Sequence, residues 1–269
     1  MGSMMNSSLN TPITAAPTAM EPICRPSLAP LGTEPLRAAV ELVSHKWMLL
    51  RGPAARVGDG HPVVIFPGLG AGPSSVATLR EHCGSLGYTA LNWGRGLNRG
   101  PQGDVRAWLA DLARDVAAML GGHKQSATLI GWSVGGVYAG EVAKLMGDGV
   151  RQVITMGAPF NAEADYTNVG WLYRKLSGAE PKINERLCQR LGRAPKVPTL
   201  SIYSRTDGVV AWQTCCHGEE DAKNAQDVEV RSRDIGMVWN PAVLLIVGER
   251  LAQSAGQFSQ SLVPGTNIH

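Results

Sequence analysis

From residue 61 onward, short apolar runs alternate with longer stretches in which apolar residues recur every three or four positions. Pro62–Phe66 is a continuous apolar run, which predicts a strand. Ser74–Leu86 follows as a helix and Tyr88–Trp93 as a second strand. In Asp104–Leu120 the apolar residues Val105, Leu109, Leu112, Val116 and Leu120 keep helical spacing. Ala127–Ile130 then predicts a strand, Gly135–Met146 a helix and Gln152–Met156 a further strand. Residues 160–194 break this rhythm; they are polar, carry Trp171, Leu172 and Tyr173, and predict a small helical cap. The alternation resumes with strands at Val197–Tyr203 and Val228–Val230 and a closing helix near Pro241–Ala252. Strands separated by helices imply an α/β protein with a mostly parallel sheet covered on both faces.

Ahead of this pattern, residues 1–34 are rich in Ser, Thr, Pro, Ala and Asn and read as a flexible leader. Met1-Gly2-Ser3 reads as a remnant of expression ahead of a start at Met4 or Met5. Leu36 to Leu50 has apolar residues at 36, 39, 40, 43, 47 and 50, the spacing of a helix packed on the domain edge or, alternatively, of one that docks on a lipid surface or a partner. Residues 35–269 are therefore expected to form one domain, with the cap inserted at about 160–194. Composition changes this picture little. A net charge of +3 without a Lys/Arg run argues against a nucleic-acid partner. Five irregularly spaced cysteines give neither a disulfide framework nor a zinc pattern, so no metal and a reducing compartment are expected. No apolar stretch reaches signal-peptide or membrane-spanning form, and the expected location is cytoplasmic.

The chemistry concentrates in Thr128-Leu129-Ile130-Gly131-Trp132-Ser133-Val134-Gly135-Gly136, an apolar strand running into Gly-x-Ser-x-Gly. Such a strand–turn–helix exposes a serine hydroxyl above the sheet, and Ser133 is the candidate nucleophile. A serine hydroxyl needs a base to take its proton. Phe66-Pro67-Gly68-Leu69-Gly70 follows the first core strand, so the Leu69 and Val134 backbone N–H groups are the candidate oxyanion donors. Asp207, in Tyr203-Ser204-Arg205-Thr206-Asp207-Gly208, ends a later strand and takes the place of the acid in the order Ser, Asp, His.

With these residues in hand, the chain resembles the α/β-hydrolase superfamily, in a bacterial lipase/esterase-like branch. The resemblance rests on Pro67-Gly68-Leu69-Gly70, on Trp93-Gly94-x-Gly96-x-Asn98, on Gly131-Trp132-Ser133-Val134-Gly135-Gly136 and on Ser204-Arg205-Thr206-Asp207-Gly208-Val209-Val210. It spans residues from about 36 to 255 and implies the α/β-hydrolase fold. It also implies a carboxylic-ester hydrolase working through an acyl-serine intermediate on a small acyl ester, without a cofactor. The chain departs from the pattern at the third triad position. Aligned on Gly236 and Asn240-Pro241, the residue where that branch carries histidine is Asp234. A carboxylate near pKa ~3.9 is a weak base for serine, so impaired activity is expected. Three origins fit: an introduced substitution, a natural loss of the base, or a site that recruits His217 or Asp234 in another way. His45, His61, His82, His123 and His269 are expected to be solvated surface residues. Trp132, Phe160, Trp171 and Tyr173 are candidates for an apolar acyl pocket. Two other functions stay open, a non-catalytic ligand-binding or interaction protein on this scaffold and an acyltransferase.

Overall fold

The computed structural model describes residues 58–161, 190–191, 193–221, 223–232 and 236–254. The leader, the 36–50 segment and most of the 160–194 cap lie outside the described residues. Among the described residues six strands, β1 (Pro62–Phe66), β2 (Thr89–Asn92), β3 (Ala127–Trp132), β4 (Val150–Met156), β5 (Thr199–Tyr203) and β6 (Ala225–Glu229), form one sheet in the order β2-β1-β3-β4-β5-β6. Every neighbouring pair is parallel. Among the described residues four α-helices pack with them: α1 (Ala77–Ser85), α2 (Val105–Leu120) and α3 (Val134–Met146) follow β1, β2 and β3 in turn, and α4 (Pro241–Leu251) follows β6.

The period of two along the central strands divides the core. Val63 and Ile65 face one side and join Leu79 and Cys83 of α1 and Val243, Leu244 and Val247 of α4. Val64 and Phe66 face the other side and join Leu109, Leu112 and Val116 of α2 and Tyr138 and Val142 of α3. All five residues of β1 and all six of β3 are buried, whereas edge strand β2 is partly exposed. Helix ends follow local chemistry. Asp104 caps α2 by accepting from the Ala107 N–H at 2.8 Å. Asn240 caps α4 by accepting from the Ala242 N–H at 2.9 Å, with Pro241 in the first turn. Such caps contribute about 1 kcal/mol each.

Two expectations need correction. The last strand is Ala225–Glu229 rather than Val228–Val230, because polar Gln226 and Asp227 are taken into an edge strand and buried there. His61 and His82 are buried, not solvated. His61 Nδ1 contacts the Asp59 carboxylate and its Nε2 lies 2.8 Å from Thr128 Oγ1, while His82 Nε2 lies 2.9 Å from the Leu244 carbonyl. Each imidazole bridges elements far apart in sequence, and such a partnership leaves no trace in local patterning.

The strand order reverses at β1: the chain moves from β1 outward to β2, then crosses back to place β3 on the other flank. In open parallel sheets the crevice beyond the carboxyl ends of the strands at such a switch point is where ligands gather. The residues following β1 and β3 flank it.

Candidate functional site

Ser133 is the single residue between the last of β3 and the first of α3. Its backbone lies at φ 54° and ψ −131°, the one positive φ outside glycine among the described residues. That conformation costs an L-residue about 1–3 kcal/mol and persists only where its surroundings over-determine it. Here the Ser133 N–H donates to the Met156 carbonyl at 2.8 Å, and the Ser133 carbonyl accepts from the Gly136 N–H at 2.9 Å. The flanking glycines are required by close approach. A Cβ on Gly131 would stand 2.4 Å from the Gly135 carbonyl oxygen, and one on Gly135 would stand 2.5 Å from the Phe66 oxygen and 2.6 Å from the Pro67 oxygen. On Gly136 it would meet Ala158 Cβ at 2.5 Å. The start of α3 is thus pressed directly onto the ends of β1 and β3.

Register sets the Pro67–Ala71 loop beside this turn, since Phe66 pairs with Gly131. Gly68 packs on the Trp132 indole, where an added Cβ would lie 3.1 Å from the ring. Leu69 is half-buried in the loop. No backbone acceptor takes its N–H among the described residues. Val134 opens α3, so its N–H has no intrahelical acceptor either.

Asp207 follows the end of β5, at the same edge of the parallel sheet as Ser133. Its Oδ1 accepts from the Val209 and Val210 N–H groups at 2.8 and 3.1 Å, which fixes the carboxylate on its own turn. Buried Ser204 joins that turn to the chain leaving β6: its Oγ accepts from the Thr206 N–H and the Ser232 N–H, both at 3.2 Å. The Thr206 hydroxyl donates in turn to the Ser232 carbonyl at 3.0 Å. The segment entering position 234 is therefore hydrogen-bonded to the turn carrying Asp207. Asp234 itself, like Trp171 and Tyr173, lies outside the described residues.

Of the other candidates, Trp132 is buried against the core shared by α1 and α4. Phe160 packs on Val137, Ala158 and Leu191. Its ring also lies on that of His217, centroids 4.3 Å apart. His217 is held by a residue the sequence reading missed: its Nδ1 lies 2.6 Å from Asp227 Oδ1, and its N–H donates to Asp227 Oδ2 at 2.8 Å. His217 borders a crevice of about 20 Å³ that takes in Gly136, Val137 and Phe160 but not Ser133. No hydrogen bond joins His217 to Ser133 among the described residues. Asp227 escaped notice because nothing in the run Ala225–Glu229 marks one polar residue as a partner for a histidine ten positions earlier. A larger depression, about 670 Å³, lies between α2 and α3 near the amino end of β3, with Ala113, Ala117 and Leu145 in its wall. It holds none of the site candidates.

No family model matches the sequence, and no curated protein does. Solved structures do resemble it. An esterase from Pyrococcus furiosus superposes with a TM-score of 0.56 at 17% identity, covering 74% of this chain and 84% of that one. Lipase B from Aspergillus fumigatus gives 0.54 at 17% identity, covering 76% of this chain and 56% of that longer one. A structure from work on LipS and LipT, two metagenome-derived lipolytic enzymes, gives 0.53 at 18% identity over 74% of this chain and 97% of that one. At such identities the likeness speaks for the architecture alone: with its parallel sheet and helices, this chain has the α/β-hydrolase fold.

Proposed function

We propose that the protein is a carboxylic-ester hydrolase by lineage, built for acyl-serine chemistry at Ser133, with turnover impaired by Asp234. The observation that carries the reading is the Ser133 turn, strained at φ 54° and pressed onto the loop after β1. Strain of this kind, sited at a switch point, is the mark of a presented nucleophile.

In the proposed reaction Ser133 Oγ attacks the ester carbonyl carbon, and its proton passes to the base. The carbonyl π electrons move onto oxygen, where the Leu69 and Val134 N–H groups stabilise the oxyanion. Collapse expels the alcohol, which takes the proton from the base, and leaves an acyl-serine. Water attacks that ester with the same base, releasing the carboxylic acid and restoring the serine. Asp207 would orient the base and stabilise its protonated form. At position 234 an imidazole could face serine with one nitrogen and the acid with the other. A carboxylate offers no such bridge and is too weakly basic at neutral pH.

The same residue favours a second reading, a binding or interaction protein that kept the scaffold and lost the base. Asp234→His separates the two. Its kcat on p-nitrophenyl acetate and butyrate should exceed that of the parent by about 10³-fold or more, with little change in KM, since a general base acts in the transition state. Ser133→Ala should abolish the gain. If Asp234→His is no faster than the parent, the base assignment fails. If the parent already turns over briskly and His217→Ala stops it, the base is His217.

A further inference from the structure

The motif Trp93-Gly94-x-Gly96-x-Asn98 has no role in the chemistry above, yet it lies against the loop that carries Leu69. Trp93 is 2% exposed. Its ring lies parallel to Tyr138 of α3, centroids 6.4 Å apart, and edge-on to Phe66 of β1. Its Nε1–H donates to the Gly96 carbonyl at 2.8 Å, so the chain leaving β2 turns back over its own anchor. Gly96 and Gly100 adopt φ of 66° and 79°, which lets this short segment reverse on either side of Asn98.

The reversals deliver Asn98, fully buried, to the Pro67–Ala71 loop. Its Nδ2 donates to the Pro67 carbonyl at 2.9 Å, and its Oδ1 accepts from the Gly100 N–H at 3.0 Å. Its backbone also bonds the loop twice: the Asn98 carbonyl accepts from the Gly70 N–H at 2.8 Å, and the Asn98 N–H donates to the Ala71 carbonyl at 2.8 Å. Three bonds from one residue thus bracket Leu69, one before it and two after. The same Pro67 carbonyl is one of the oxygens against which Gly135 is pressed. Pinning it sets the loop against the start of α3, where Val134 presents the other N–H.

We infer that Asn98 is a positioning residue for oxyanion stabilisation: through Pro67, Gly70 and Ala71 it fixes where the Leu69 N–H points. This rests on the reading of Ser133, Leu69 and Val134 given under the proposed function. Backbone donors stabilise a developing oxyanion only when preorganised, and loss of one such donor lowers turnover about 10²- to 10³-fold.

Two variants separate bracing from mere packing. Asn98→Ala removes both side-chain bonds. Asn98→Asp keeps the shape and the acceptor for Gly100 but offers Pro67 no donor. Hydrogen exchange read by mass spectrometry on the full chain should show faster exchange at residues 68–72 in both variants, with residues 127–146 unchanged. In the Asp234→His background, well below each variant's melting temperature, both should lose about 10²-fold in kcat with KM within about twofold of the Asn98 form. Unchanged loop exchange in both variants would overturn the brace. A loosened loop with undiminished kcat would overturn its catalytic role. An Asp234→His protein without turnover would instead overturn the hydrolase reading and the catalytic half of this inference, with exchange still deciding the brace.

Discussion

Gly135→Ala tests the packing on which the site assignment depends. The added Cβ would stand 2.5 Å from the Phe66 carbonyl oxygen, about 0.9 Å short of ordinary contact at 3.4 Å, and 2.6 Å from the Pro67 oxygen. Both are backbone atoms at the end of a buried strand, so neither can swing away as a flexible side chain would. Forcing atoms into a packed interior costs about 1–3 kcal/mol. For a chain of this size each kcal/mol moves the melting temperature by about 2–4 °C, so a fall of roughly 2–12 °C is expected. Gly140, five residues along the same helix, is the internal control, because a Cβ there meets nothing within 4 Å. Alanine at that position should stabilise by about 0.5–1 kcal/mol through helix propensity, a rise of roughly 1–4 °C. Paired thermal melts by circular dichroism at pH 7.5 read both. If Gly135→Ala melts at or above the parent, α3 does not press onto β1 as described, and the geometry assigned to Ser133 and Leu69 fails with it.

Two further outcomes follow from buried charge. Glu141 is 1% exposed and pairs with Lys144 at 2.6 Å and with Arg190 at 2.8 Å, linking α3 to the chain that enters β5. Glu141→Gln should destabilise by up to about 3 kcal/mol, the low end for breaking a buried pair because Arg190 is 41% exposed, and urea melts would measure it. An unchanged midpoint would mean that the cluster is solvated. Burial holds the His61 imidazole below its ordinary value of 6.5, although the Asp59 contact opposes this. Between its folded value and 6.5 the unfolded chain binds a proton that the folded protein resists, so stability present above pH 6.5 is lost as pH falls through that window. His61→Asn should melt lower at pH 7.5, yet show a shallower fall in melting temperature between pH 7 and 5; equal slopes would refute the linkage.

The sequence determined the layered α/β architecture because the signals for it are local. β1 and β3 are written as unbroken apolar runs, as strands buried on both faces must be, and α2 shows its core face at helical spacing. Gly131, Ser133 and Gly135 were legible for the same reason: the turn they form is made by neighbours in the chain. Asp207 could be placed from its position just after a readable strand. Tertiary structure alone decided what each polar residue meets. His61 reaches Thr128 across 67 positions, His82 reaches Leu244 across 162, and His217 reaches Asp227 from outside its strand. Asn98 stood in a noticed motif, but its work depends on a loop 31 residues earlier being carried beside it by the pairing of β1 with β2 and β3. Apolar burial repeats with the period of the element and so leaves its pattern in the chain. A directed hydrogen bond depends on where two distant backbones come together, and only the folded sheet fixes that.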